Sequence, residues 1–287
     1  MNITTLKSIT NPGKKTKPNE DAIIIRDNLY VVLDGATGLG ERKIDSSDSD
    51  AQWLVNYVSK YFNENWTSQN SFIPTLKKAI TKANLNFKKI ANSSKEFRPF
   101  ELPSAGVVAL HIFSDHIKAY RIGDCSLYTR EGSTFTDVFG DSPLQALDEN
   151  SITKMNDALR KGFSYNQARE SINDLLKKNR SKMNTKGGYT VLSINPSSVD
   201  GFETKKIFLS KEMKILLMSD GFSAFKEKYG YSMDEFFQKV EQKSMEKMIR
   251  KLRKIENSDK DLLKFPRLKR HDDATCIYLD IQYPQWF

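Results

Sequence analysis

Cysteine and histidine are scarce in this chain of 287 residues, which holds two of the first and three of the second. Cys125 and Cys276 have no metal-ligand spacing, so a zinc site is excluded and the two thiols are expected as reduced core residues. Long hydrophobic runs are also missing. The longest, Ala105 to Phe113, is interrupted by His111 and is far too short to span a bilayer. Residues 1–10 lack an apolar stretch and a small-residue cleavage site, so no secretory leader is expected and a cytoplasmic location is. No repeat, low-complexity tract or linker breaks the chain. With 38% hydrophobic, 11% aromatic and 28% charged residues, it is expected to fold as one soluble domain spanning 1–287, and as a monomer.

Acidic residues are in deficit, which gives a net charge of +9, but the deficit is local. Between Lys239 and Arg270 twelve Lys and Arg face five Asp and Glu, so this one segment carries +7 of the total. A general nucleic-acid-binding surface is therefore not expected. The run reads either as a solvated face or as a basic rim that would recruit acidic segments of a protein partner.

The periodicity that is present points to an α+β chain. Ala22–Arg26 and Leu29–Leu33 are β-branched or aromatic runs joined by Asp27-Asn28, which predicts a hairpin. Ala51, Leu54, Val55, Val58 and Phe62 follow helical spacing, with Ser and Asp upstream to cap, and Leu76, Ile80, Ala83, Phe87 and Ile90 repeat it. Gly106–Phe113, Ile117–Ile122, Ser126–Thr129 and Thr134–Val138 predict an antiparallel meander. Residues 143–180 are helix-prone. Strands are expected again over Tyr189–Ile194, Lys205–Leu209, Ile215–Met218 and Ala274–Ile281, with one long basic helix over 232–256. Helices packed on two stacked antiparallel sheets accommodate this order.

Chemistry enters where carboxylates meet strand ends: Asp34, Asp124, Asp220 and the pair Asp272-Asp273. In Val31-Val32-Leu33-Asp34-Gly35 and Leu216-Leu217-Met218-Ser219-Asp220-Gly221 an apolar strand delivers an Asp, and the Gly lets the backbone turn or approach an ion. A single Asp-Gly is more often a turn. Several strand-end carboxylates, without a His/Cys cluster, point instead to a hard cation such as Mg²⁺ or Mn²⁺.

Six fragments carry a resemblance when taken in order: Asn19-Glu20-Asp21-Ala22, Val32-Leu33-Asp34-Gly35, Ser104-Ala105-Gly106-Val107-Val108-Ala109-Leu110, Ile122-Gly123-Asp124-Cys125-Ser126-Leu127-Tyr128, Leu217-Met218-Ser219-Asp220-Gly221-Phe222 and Asp272-Asp273-Ala274-Thr275. Together they resemble the PPM family of metal-dependent protein phosphatases, also called type 2C. Asp34-Gly35-Ala36-Thr37-Gly38 and the segment Met183–Leu192 are similar to a bacterial branch of it. The resemblance implies an αββα sandwich with a helical flap over about 143–188 and a site for two Mn²⁺ or Mg²⁺ ions at one end of the sheets. Asp34 would bridge the metals, the Gly35 carbonyl would hold one, Asp220 and Asp272 would complete the other, and Glu20 would bind through water. Asp21 would support the ligands from nearby or cap a turn. Asp124 matches a residue of a weaker third metal site in some relatives, or caps a turn. Asp273 reads as a solvated or turn residue. The implied reaction is hydrolysis of phosphoserine or phosphothreonine in proteins by a hydroxide held between the metals.

Two departures qualify the resemblance. Where relatives have a His after the Asp-Gly this chain has Ala36, which removes a proton donor; His271 is a conceivable substitute. Where the family places a phosphate-binding Arg, four residues before the Glu, this chain has Thr16, and the neighbouring Lys17 is the candidate for the phosphate. The departures motivate a second expectation, a regulatory or binding module with little turnover. A two-metal nuclease suits the charge but not the motif order.

Overall fold

The computed structural model describes residues 2–40, 49–91 and 97–283. All paired strands are antiparallel, in two sheets. One has the order β1 (Asn2–Asn11), β11 (Ala274–Gln282), β10 (Glu212–Met218), β6 (Ser126–Glu131), β7 (Thr134–Asp137). The other runs β2 (Asp21–Arg26), β3 (Leu29–Ala36), β4 (Ser104–Ile112), β5 (His116–Ile122), β9 (Glu203–Phe208), with the short β8 (Leu192–Ser193) on β4.

The central strands are apolar on both faces because both faces are covered. Val32, Val108 and Leu110 meet Leu127, Leu217 and Ile277 between the sheets. Val31 and Leu33 point the other way, onto Leu54 and Phe62 of α1 (Asp50–Asn65) and Leu76 and Ile80 of α2 (Phe72–Ala91). On the opposite side Leu216, Met218 and Tyr278 pack on α6 (Asp220–Glu227), α7 (Met233–Gln242) and α8 (Met245–Ser258) through Phe222, Phe236 and Leu252. This is the expected helix–sheet–sheet–helix sandwich. Cys125 and Cys276 are buried and free, as expected. Of the residues expected to cap α1, Ser49 does so, its Oγ accepting from the Gln52 N–H at 3.1 Å, whereas 45–48 lie outside the described residues.

Four local expectations are corrected. β1 was not anticipated: its residues alternate between exposed and half-buried, and only Ile3 and Ile9 reach the cores, so the sequence shows Thr and Ser rather than an apolar run. The meander is two hairpins, since β4–β5 and β6–β7 belong to different sheets and the chain crosses between them at Gly123-Asp124-Cys125. Of Tyr189–Ile194 only Leu192–Ser193 joins a sheet, and Tyr189 makes an isolated bridge to Met183. The single basic helix is two, broken at Lys243-Ser244, where Ser244 caps the N-terminus of α8. Between β7 and β8 stand α3 (Pro143–Arg160), α4 (Tyr165–Ser171) and α5 (Asn173–Arg180), around Met155, Ala168, Ile172, Leu176 and, from outside the segment, Leu262.

The topology places five junctions at one end of the sandwich: the entry to β2, the exit of β3, the crossover from β5 to β6, the exit of β10 and the entry to β11. Every acidic motif of the sequence lies on one of them.

Candidate metal centre

Register sets the first contacts. Asp21 opposite Asp34, and Asp34 opposite Gly106, put two carboxylates and one side-chain-free position across three neighbouring strands. Asp124 fills the space over Gly106, where a Cβ would stand 2.9 Å from its Oδ1. The crossover that delivers Asp124 requires glycine at 123, whose φ of +83° is disfavoured for side-chain-bearing residues. Gly35 is required for a different reason. Its N–H donates to the Glu20 carbonyl at 3.1 Å, and a Cβ there would sit 2.4 Å from that oxygen.

From the other sheet, β10 ends at Met218, Ser219 follows it, and α6 begins at Asp220. The Asp220 N–H donates to Asp34 Oδ2 at 3.1 Å, so the helix N-terminus faces the carboxylate and favours its charge. Ser219 makes no side-chain cap. Its hydroxyl donates to Asp21 Oδ2 at 2.8 Å and accepts from the Thr275 N–H at 2.9 Å, tying β2, β10 and β11 together in the buried interior. Gly221 lies against the entry to β11, with a Cβ position 1.9 Å from the Asp273 carbonyl and 3.2 Å from Asp272 Cβ. Asp273 accepts from the Gly13 and Glu20 N–H groups, both at 2.7 Å, and so anchors the segment before β2 to β11 rather than standing in solvent. Glu20 turns Oε1 to the hydroxyls of Thr37, at 2.6 Å, and Ser49.

Crowding of carboxylates dominates the electrostatics. Burial, then Asp21, Asp220, Asp124 and Asp272 in that order, hold Asp34 well above the usual carboxylate range. Asp21, buried at 5% exposure in its strand rather than in a turn, is raised by burial and by Asp273 and Asp272. Burial, Asp220 and Asp148 push Asp124 up to about 8. Burial and Asp220 raise Asp148 to about 6, against Lys228 and Lys269. Asp272 is raised by burial and pulled back by Lys269, whose Nζ lies 2.6 Å from its Oδ1. Asp220 and Asp272 hold the Lys228 ammonium above the usual lysine value against its burial, and Asp272 and Asp220 do the same for Lys269, whose side chain is 53% exposed.

Among the described residues, no three His, Cys, Asp or Glu side chains are already gathered at ligating distance of one point. Their chemistry nevertheless suits a hard cation. The donors are all oxygen, each raises its neighbours' pKa, Asp21 Oδ1 is buried without a partner, and the cluster has drawn a lysine ammonium onto Asp272.

The structure thus brings Asp34, Gly35, Asp124, Asp220 and Asp272 together, with Glu20 and Asp21 behind them. It leaves Lys17 exposed in the turn before Glu20, its side chain in no hydrogen bond or ion pair among the described residues. His271 pairs its Nε2 with Asn257 Oδ1 at 3.0 Å, on α8. His111 is a core residue, edge-on to Trp66, and His116 opens β5. Sequence reasoning missed Asp148 on α3, the lysines 228 and 269, the linking role of Ser219, and Arg180. The last reaches from α5 to the carbonyls of Ala36, at 2.6 Å, and Leu102, at 2.9 Å, and so fixes the turn after Gly35. Only Ser219, beside Asp220, carried a local signal, and it pointed to a helix cap.

A family model described as Protein phosphatase 2C matches residues 13–254. Among solved structures, the fold is similar to the PPM Ser-Thr phosphatase MsPP from Mycobacterium smegmatis in complex with cacodylate, at 16% identity over 98% of this chain and 100% of that one, with a TM-score of 0.53. It is similar to the serine/threonine phosphatase Stp1 from Staphylococcus aureus, at 16% identity over 99% and 96%, TM-score 0.55. The catalytic domain of the serine threonine protein phosphatase PstP, in complex with two manganese ions, gives 12% identity over 97% and 98%, TM-score 0.54. At such identities the likeness is one of fold. No curated protein matches the chain.

Proposed function

The chain belongs to the protein phosphatase 2C family and is a metal-dependent protein serine/threonine phosphatase; from that premise we propose that Asp34, the Gly35 carbonyl, Asp220 and Asp272 hold two Mn²⁺ or Mg²⁺ ions. Glu20, with Oε1 engaged by Thr37 and Ser49, contributes through water, and Asp124 serves a weaker third position. When bound, the ions supply a water of lowered pKa and neutralise charge on the phosphate oxygens. The observation that carries this reading is the convergence of acidic residues from both sheets on one end of the sandwich, where burial and mutual repulsion leave them short of positive charge.

The chain's own groups divide the remaining work. The Asp220 N–H holds Asp34 Oδ2, and Ser219 holds Asp21 behind it. Arg180 holds the Ala36 carbonyl, so the turn that presents Gly35 is fixed from α5. Lys269 and Lys228 stand among the carboxylates, and their ammoniums meet the substrate phosphate more directly than the exposed Lys17. No imidazole replaces the family His at Ala36, and His271 is engaged with Asn257, so water protonates the leaving alkoxide. In this reading residues 1–287 form one domain with α3–α5 as its flap, working as a cytoplasmic monomer without a membrane or nucleic-acid partner. No helix among the described residues is long and apolar enough to cross a membrane.

The test is hydrolysis of an aryl phosphate with Mn²⁺ or Mg²⁺ by the protein, Asp34→Asn and Asp272→Asn, with metal content measured on each. Metal-dependent turnover lost in both variants, together with bound metal, is expected. Equal, near-zero turnover in all three would favour the regulatory module instead.

A further inference from the structure

The basic run divides in two when folded. Arg253 and Arg267 turn inward: Arg253 pairs with Glu256 at 2.7 Å and reaches Asn11, Arg267 pairs with Asp259 at 2.7 Å, and Lys269 goes to Asp272. Lys243, Lys247 and Lys251 do the opposite. Lys247 and Lys251 stand one turn apart on one face of α8 and Lys243 lies in the α7–α8 break before it; all three are exposed, and none has an acidic group within 4.0 Å among the described residues. With Lys239 they line a cavity of about 310 Å³ whose wall also carries Tyr231, the buried Met248 and a single acid, Glu235, paired to Lys239 at 3.0 Å. Three unpaired ammoniums around one groove repel one another, so the arrangement favours an anionic occupant.

We propose that this groove between α7 and α8 docks an acidic peptide segment of the phosphoprotein substrate, outside the catalytic centre; the proposal rests on the phosphatase reading. The charges are complementary, and Tyr231 and Met248 give side chains an apolar floor, which a polyphosphate backbone would not use. The groove is short and includes a carboxylate, unlike the extended basic track that a nucleic acid follows. Lys7, the neighbouring cation that would lengthen it, is turned onto the Val240 and Glu241 carbonyls at the end of α7, at 2.9 and 2.6 Å.

Distance gives the groove a register. Lys247 and Lys251 lie on the first half of α8, whereas its last turns reach Asn11 and Arg267 at the metal end. From Lys247 to Glu256 the helix rises about 14 Å. An extended peptide covers that in roughly four residues and needs a few more to enter the cluster, so the acidic run belongs about six to ten residues from the phosphorylated one.

Two phosphothreonine peptides test this, identical except that one carries four Asp at that spacing and the other four Ser, with an unphosphorylated fluorescent acidic peptide as binding probe. Each is measured at low and high salt on the metal-loaded protein and on Lys243→Glu/Lys247→Glu/Lys251→Glu, with melting temperature as the folding control. The wild type is expected to show a KM about tenfold lower for the acidic peptide, with kcat unchanged. High salt and the triple variant should both abolish the difference and the probe's anisotropy signal, leaving aryl phosphate turnover intact. Equal KM values in the wild type, an anisotropy signal that survives charge reversal, or tighter competition by a single-stranded oligonucleotide than by the acidic peptide would each overturn it. Probe binding without hydrolysis of any substrate would instead count against the phosphatase reading and leave the docking groove standing.

Discussion

Stripping the metal and raising the pH should loosen the protein, and Asp124 sets how much. Its carboxyl is pushed up to about 8 by burial, Asp220 and Asp148, against an unfolded value of 3.8. A folded-state pKa raised in this way means that the folded chain holds the proton after the unfolded chain has lost it. Stability is therefore fully present at low pH and is lost as pH rises towards 8. His111 acts in the opposite sense. Burial lowers it from 6.5 to about 4, so its contribution grows with pH up to 6.5 and is complete there. The clean window thus lies between pH 6.5 and 8, above the titration of His111 and of Asp148. At about 1.4 kcal/mol per unit, Asp124 alone costs roughly 2 kcal/mol across it, which at about 2–4 °C per kcal/mol lowers the melting temperature by roughly 4–8 °C. Asp21 and Asp34, also raised, add in the same direction. Saturating Mn²⁺ should reverse the slope, because the ions bind ionised carboxylates and stabilise the state that holds them. The assay is differential scanning fluorimetry of chelator-treated protein at low salt, with and without Mn²⁺, on the wild type and Asp124→Asn. A melting temperature of the metal-free wild type that is flat or rises from pH 6.5 to 8, or a slope undiminished in Asp124→Asn, would refute the reasoning.

Ser219→Ala leaves the Asp21 carboxylate and the Thr275 N–H without their shared partner in the interior. A loss of about 2–5 kcal/mol is expected for the two groups, read as a lower urea midpoint, with Ser219→Thr less affected only if the extra methyl fits. Gly221→Ala must displace the Asp273 carbonyl 1.9 Å from the new Cβ, and should weaken Mn²⁺ binding by calorimetry as well as lowering the melting temperature. Lys269→Gln removes the ammonium from Asp272; inhibition by inorganic phosphate should weaken several-fold, whereas Lys17→Gln should leave it unchanged. Aryl phosphates should turn over faster than phosphoserine peptides that lack an acidic run, because a phenolate leaves without an acid; the reverse ranking would expose a proton donor near Ala36.

The fold was legible wherever burial wrote a period into the chain. Val31 to Leu33 could be read as a central strand because two layers cover it, and Leu54, Val58 and Phe62 as a helix face because one does. β1 escaped because one face meets solvent, and the α7–α8 break because amphipathic spacing continues through it. The sheet switch at Gly123 escaped because a short polar turn looks alike whether it closes a hairpin or crosses between layers.

The candidate site divides along the same line. Asp34 and Asp220 were accessible to sequence alone, since an apolar strand that ends in a carboxylate and a glycine marks a place where a charge must leave the core or meet a cation; Asp124 and Asp272 were picked out as strand-end acids and given roles only by the resemblance. What those carboxylates face is not local information. Asp148 comes from α3, Lys269 from the tail before β11, Lys228 from the end of α6, and Arg180 from α5; their meeting depends on long-range packing that no spacing encodes. The basic run shows the same limit: its charge was countable in one dimension, but only folding turned Arg253 and Arg267 inward, set Lys269 on Asp272, and left Lys243, Lys247 and Lys251 outward around a groove.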